Sequence, residues 1–256
     1  MTSPQLHHTI HGTGPTMVLI HGLFGSLSNL GLLARDFVQD HQVISIDLRN
    51  HGQSFHSDEM NYSLMAQDIN HLLIDLNISE AIVVGHSMGG KAAMALTAIA
   101  SEKIKQLIVL DMAPVAYQTR RHDNVFAGLQ KVIEGKPTTR KQAIELLAET
   151  VEIEGVRQFL AKSLTLKDGY MQWLFNVDAL SKQYMNILGW EPVPAFTGKT
   201  LFLKGADSEY ILSEYQADIV EQFPNSKAHI IANTGHWLHA EKPVEVVRSI
   251  RRFIAK

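Results

Sequence analysis

Gly85-His86-Ser87-Met88-Gly89 sets one hydroxyl between two glycines. The run Ala81 to Val84 before it reads as a strand, and the alanine-rich stretch after it reads as a helix. Ser87 then falls on a tight strand-to-helix turn. Glycine is needed at such a turn where a side chain would clash, and the free N–H groups that open the helix face a developing oxyanion. The chemistry this suits is attack by Ser87 on a carbonyl carbon, the plainer alternative being a serine that only caps the helix. A base is needed beside it. Asn233-Thr234-Gly235-His236-Trp237 follows the run His229 to Ala232, so His236 stands in a loop at a strand's carboxyl end, where open α/β sheets place their sites. With 13 histidines in the chain and His239 three residues on, the choice of His236 rests on that position and on the order nucleophile then base. His21-Gly22-Leu23-Phe24-Gly25 follows the first clear strand, and the N–H groups of Leu23 and Met88 are the expected oxyanion hole, against the alternative of a simple tight turn. No H-E-x-x-H sequence is present, and no metal site is expected.

Two carboxylates compete to orient the imidazole. Asp111 stands directly after the run Leu107 to Leu110, and Asp207 lies in Gly205-Ala206-Asp207-Ser208-Glu209 after Leu201 to Leu203. Either would accept Nδ1–H of His236 and leave Nε2 free to take the proton of Ser87. Asp47 and Arg49 read as structural groups that hold their loop through charged hydrogen bonds. Lys91, in the first turn of the helix after the elbow, opposes the helix dipole, which leaves a functional lysine and a solvated surface one both open.

The positioning elements follow from periodicity. Met17 to Ile20 and Val43 to Ile46 add two more buried strands, and Leu64, Met65, Ile69, Leu72, Leu73 and Leu76 line one helical face. Strand, helix and strand in alternation predict a mostly parallel central sheet flanked by helices. Ser213 and Gln216 have capping-box spacing, and Pro243 suits the first turn of the last helix. Roughly ninety residues separate Leu110 from Leu201, far more than a crossover needs. The expected division is a core of residues 1–112 and 198–256 with a helical cap, 113–197, inserted between the last strands. Thr138 is the expected N-cap of one cap helix, and Val156, Phe159, Leu160 and Leu164 mark another. Among the cap aromatics Trp190 is a candidate pocket residue, with packing inside the cap as the alternative, and Trp237 is a second candidate beside the base.

Composition narrows the function. The 256 residues are 45% hydrophobic with net charge −3, which excludes a disordered chain and leaves no basic footprint for nucleic acid. There is no cysteine, so disulfides and thiol catalysis are excluded. Met1 to His8 has neither a basic nor an apolar leader region, and no apolar run nears membrane-spanning length, so a cytoplasmic protein of small-molecule partners is expected, monomer or homodimer.

His21-Gly22, Asp47-Leu-Arg-Asn-His-Gly-Gln-Ser54, the Gly85–Gly89 elbow and Gly235-His236 occur in the order of the α/β-hydrolase superfamily, which the whole chain resembles. More narrowly, Gly85-His-Ser-Met-Gly-Gly-Lys91, Asp111-Met-Ala-Pro114, Arg120-Arg-His-Asp123 and Gly235-His-Trp-Leu-His-Ala-Glu-Lys-Pro243 resemble the bacterial YbfF-type esterase and acyl-CoA thioesterase group. Most of the superfamily carries its acid where Ser208 stands here, and in the YbfF-type group the residue matching Asp111 is the implied triad member. The expectation is a serine hydrolase of short- to medium-chain acyl esters or acyl-CoA thioesters, using Ser87, His236 and Asp111 and no cofactor. Arg120 and Arg121 are candidates for binding the coenzyme A phosphates, with a solvated helix start as the alternative. A carbon–carbon bond hydrolase or lyase, or a non-catalytic binding protein, would fit the same scaffold.

Overall fold

A computed structural model describes residues 5–255, so Met1–Pro4, half of the leader reading, lie outside the described residues. Seven strands form the main sheet: β1 (His8–His11), β2 (Thr16–Ile20), β3 (Gln42–Ile46), β4 (Ala81–His86), β5 (Ile104–Leu110), β8 (Lys199–Gly205) and β9 (Ser226–Ile231). Their order is β1-β3-β2-β4-β5-β8-β9, parallel except for β1, which pairs antiparallel with β3. The six predicted strands are present. The edge strand β1 adds a seventh, its sequence His-Thr-Ile-His being too short and polar to announce itself.

Both faces of the sheet are covered, which is why its central strands read as unbroken apolar runs. Val18, Ile20, Ile44 and Val83 point to one face, where α2 (Tyr62–Asp75) supplies Met65, Ile69, Leu72 and Leu73, and α3 (Met88–Ala100) packs beside it. Met17, Leu19, Val84 and Ile108 point to the other, against α1 (Gly31–Phe37) and α11 (Pro243–Ile254). Pro243 does open α11. The remaining carboxyl-side helices are α9 (Gln216–Gln222) and α10 (Leu238–Glu241).

Between β5 and β8 come α4 (Asp123–Gly135), α5 (Arg140–Ala148), α6 (Glu154–Ala161), a hairpin of β6 (Leu164–Lys167) and β7 (Tyr170–Trp173), then α7 (Val177–Lys182) and α8 (Tyr184–Leu188). The segment is thus not wholly helical. Leu164, expected in a helix, starts a strand because Asp168 and Gly169 turn the chain with φ of 53° and 86°, the two positive values a tight hairpin turn needs. Two caps also differ. Thr139, not Thr138, caps α5, its side chain accepting from Gln142 N while Gln142 reaches back. Ser213 starts a short 3₁₀ turn and α9 begins only at Gln216, so no capping box forms there. No helix among the described residues is long and apolar enough to cross a membrane.

Candidate active site

The elbow joins β4 to α3. Ser87 adopts φ 54°, and its N–H donates to Leu110 O at 3.0 Å, tying the turn to the end of β5. A Cβ at Gly85 would lie 2.2 Å from Gly89 O, and one at Gly89 would lie 2.3 Å from His21 O. The two glycines are therefore steric necessities of a turn packed against the neighbouring strand. Met88 opens α3, so its N–H has no acceptor within the helix.

His236 Nε2 lies 2.8 Å from Ser87 Oγ, and its Nδ1 lies 2.7 Å from Asp111 Oδ2. Asp111 is fully buried just past β5, and its carboxylate accepts two further bonds, from Gly205 N at 3.0 Å and from Ser208 Oγ. With Nδ1–H donated to Asp111, Nε2 presents its lone pair to the Ser87 hydroxyl. Asp207 takes no part: its side chain is exposed and only its backbone N–H is engaged, donating to Thr234 O. The neighbouring pair β5 and β8 explains the geometry, since it sets Asp111 beside the turn after Gly205.

The loop after β2 is shaped by two buried histidines. His21 donates from Nδ1 to Gly22 O and accepts Leu48 N at Nε2; His51 donates from Nδ1 to Arg49 O and accepts Phe24 N at Nε2. Burial lowers the pKa of both, that of His51 to about 3, so each keeps the neutral form that its two bonds require. Leu23 N–H makes no hydrogen bond to protein among the described residues and stays available at the loop's tip. Asp47 holds this loop as well, accepting from Leu27 N, Gln53 N and His7, while Arg49 forks onto Asp68.

Above Ser87 and His236 opens a cavity of about 510 Å³. Val125, Val151, Val156, Phe159 and Leu160 give it an apolar wall, and Trp237 joins them, its ring 6.0 Å from that of Phe159. Of the other candidates only Arg121 joins the cavity. Arg120 pairs with Asp123 on the surface, and it is Arg121, bound to Glu209 at 2.8 Å, that reaches the cavity. Trp190 packs against Tyr62 and donates to Gln222, away from Ser87. Lys91 is no surface residue. Wholly buried, its ammonium donates to Leu188 O and Gly189 O at 3.0 and 2.9 Å and lies over the rings of Tyr117, Tyr62 and Trp190; burial lowers it to about 7.

Several site residues escaped sequence reasoning. Tyr210 stacks on His236 with ring centroids 3.9 Å apart, and His122 lines the cavity with Nδ1 on Tyr184 Oη. Nothing local marks either one. Ser208 did carry a signal, because a hydroxyl at the position where a carboxylate is usual invites a partner carboxylate nearby.

The chain matches the alpha/beta hydrolase fold family over residues 15–243. It is 50% identical to esterase YbfF of Escherichia coli (strain K12) over 244 residues, 95% of this chain and 94% of that one. It is 35% identical over 251 residues to the sn-1-specific diacylglycerol lipase ABHD11 of Mus musculus, covering 95% and 82% of the two chains. Among solved structures, a marine microorganism esterase superposes with TM-score 0.95 at 35% identity, over 98% of this chain and all of that one. The protein belongs to the α/β-hydrolase family. Within it, this chain is a YbfF-type serine esterase.

Proposed function

We propose that the protein cleaves short- to medium-chain acyl esters or thioesters through an acyl-enzyme on Ser87. The observation that carries this reading is the unbroken line of hydrogen bonds from Asp111 through His236 to Ser87. His236 Nε2 takes the proton of Ser87 as its Oγ bonds to the acyl carbonyl carbon, and the N–H groups of Leu23 and Met88 receive the oxyanion. The imidazolium then gives that proton to the departing alkoxide or thiolate, leaving the acyl group on Oγ. Water, deprotonated by the same nitrogen, attacks the acyl-enzyme and restores the hydroxyl.

Residues 113–197 act in this reading as a cap, with α4 and α6 forming the apolar wall that receives the acyl chain. Arg121 at the cavity is better placed than Arg120 to meet an anionic leaving group such as coenzyme A. The test is kcat/KM on acyl-CoA thioesters and nitrophenyl esters of matched chain length, with Ser87→Ala as the blank. A preference for acyl-CoA that disappears in Arg121→Ala supports the thioesterase reading. Equal or better rates on the simple esters assign a general carboxylesterase, and no turnover of either refutes the proposal.

A further inference from the structure

His236 is held by more than its two hydrogen bonds. The Tyr210 ring lies 3.9 Å from the imidazole, centroid to centroid, and only 24° from parallel. Three bonds fix Tyr210 in that place: its N–H donates to Ser208 Oγ at 3.2 Å, its carbonyl accepts Tyr117 Oη at 2.6 Å, and Tyr117 Oη in turn accepts Ala113 N at 3.0 Å. The turn from Gly205 to Tyr210 therefore serves both partners at once, since Gly205 N and Ser208 Oγ hold Asp111 while Tyr210 covers His236. The Tyr210 hydroxyl itself makes no hydrogen bond to protein among the described residues, so what this residue brings to His236 is its ring.

We propose that Tyr210 is a positioning residue of the reaction: its ring keeps the imidazole in line between Asp111 and Ser87, and its π face stabilises the imidazolium formed when Ser87 gives up its proton. The proposal rests on His236 being the base. An aromatic face carries partial negative charge and attracts a cation set above it, more strongly where water is excluded. Asp111 supports the imidazolium in the ring plane through Nδ1, 2.7 Å away, and of the groups around the imidazolium faces only the Tyr210 ring is stacked on it without a positive charge to gain. His86, from β4, lies 4.8 Å from it ring to ring but donates Nε2–H to His236 O, and burial pushes its pKa well down. His122 at the start of α4 and His239 of α10 are lowered by burial to about 4 and about 3. Burial thus favours the neutral form of all three, and none carries a negative charge that could support the imidazolium. Arg121, paired with Glu209 at 2.8 Å, is a cation over the same Tyr210 ring at 5.3 Å, and as a cation it gives the imidazolium no support.

The experiment is kcat and KM for p-nitrophenyl butyrate from pH 5 to 9 in wild type, Tyr210→Phe, Tyr210→Leu and Tyr210→Met, each checked for a native thermal melt. Loss of the ring, as Leu or Met, is expected to lower kcat about 3- to 30-fold, the factor a desolvated ring–cation contact supplies. KM should stay within about threefold. The acid limb of the pH profile should move to lower pH by about half to one unit, because the protonated imidazole has lost support. Phe should restore both the rate and the limb. An unmoved profile in a folded Leu or Met variant overturns the proposal, as does a change confined to KM, which would make Tyr210 only a wall of the cavity. A Phe variant as impaired as Leu overturns it too, by giving the hydroxyl the role. His236→Ala separates the two levels: full activity there would remove the base and Tyr210's role with it, whereas loss of activity there beside an indifferent Tyr210→Leu removes Tyr210's role alone.

Discussion

Replacing Asp111 by asparagine changes one atom in the site and inverts its hydrogen bonding. Asp111 Oδ1 accepts Gly205 N, while Oδ2 accepts both His236 Nδ1–H and the Ser208 hydroxyl. An asparagine that keeps its carbonyl on Gly205 N must point its NH₂ at His236 and Ser208. Ser208 can rotate its hydroxyl to accept. His236 can accept only by moving its proton to Nε2, the nitrogen 2.8 Å from Ser87 Oγ, where it would then donate and no longer act as base. Two losses combine: the charge-assisted bond that steadies the imidazolium, roughly 1.5–3 kcal/mol, and the energy needed to regain the productive tautomer. A fall in kcat of about 10⁴, or about 5 kcal/mol, is expected, as in other triads treated this way. Asp207→Asn, on an exposed side chain, should stay within about threefold of wild type. The assay is nitrophenyl ester hydrolysis near pH 7.5, with circular dichroism to show that both variants are folded. Collapse of Asp207→Asn beside an active Asp111→Asn would refute the assignment.

Other outcomes can be measured on the same preparations. Ser208→Ala leaves Asp111 two of its three donors, so kcat should fall about 10- to 100-fold, in keeping with about 1.5–3 kcal/mol for a bond to a charged group; wild-type turnover would show that Gly205 N and His236 suffice. Lys91 falls from its ordinary 10.5 to about 7 in the folded protein. Between those values the unfolded chain binds more protons than the native one, so wild-type stability rises with pH there, by at most about 1.4 kcal/mol per unit. The stability advantage of Lys91→Met over wild type in urea melts should accordingly shrink from pH 6.5 to 9.5; a constant gap would show that the folded pKa is not depressed. Gly85→Ala, whose methyl would meet Gly89 O at 2.2 Å, should lose its native melt or fail to fold, and a soluble variant of wild-type stability would contradict the packing at the elbow.

The core of this fold was legible because it is built from local signals. Central strands buried on both faces must be apolar throughout, so Met17–Ile20 and Leu107–Leu110 stand out in the chain. An edge strand is under no such demand, and His8–His11 passed unnoticed. The β6–β7 hairpin is readable from Asp168-Gly169, but the helical period through Val156, Phe159 and Leu160 takes its first residue, Leu164, into a helix. Ser87 and His236 could be picked out because each is tied to a strand end by its own neighbours. Lys91 could not, since its burial depends on carbonyls nearly a hundred residues away. Tyr210 and Arg121 likewise acquire their places only when the turn after β8 meets the chain leaving β5.

Phe24, Ser87 and Asp111 all hold positive φ, 61°, 54° and 51°, and Ser87 with ψ −122° lies outside even the left-handed helical well; such a conformation costs a residue with a side chain roughly 1–3 kcal/mol. None of the three is glycine, although glycine would relax each turn. If Ser87 is the nucleophile as proposed, a Ser87→Gly protein, expected to be inert and less strained at the elbow, should be a sturdier decoy for trapping intact substrate than Ser87→Ala. The same reasoning bears on laboratory evolution of this scaffold. Phe24 and Asp111 are held there by packing on Phe126 and Phe175 and by three hydrogen bonds, which glycine would forfeit, but at Ser87 selection for thermal endurance alone would favour glycine, so turnover has to be part of any screen.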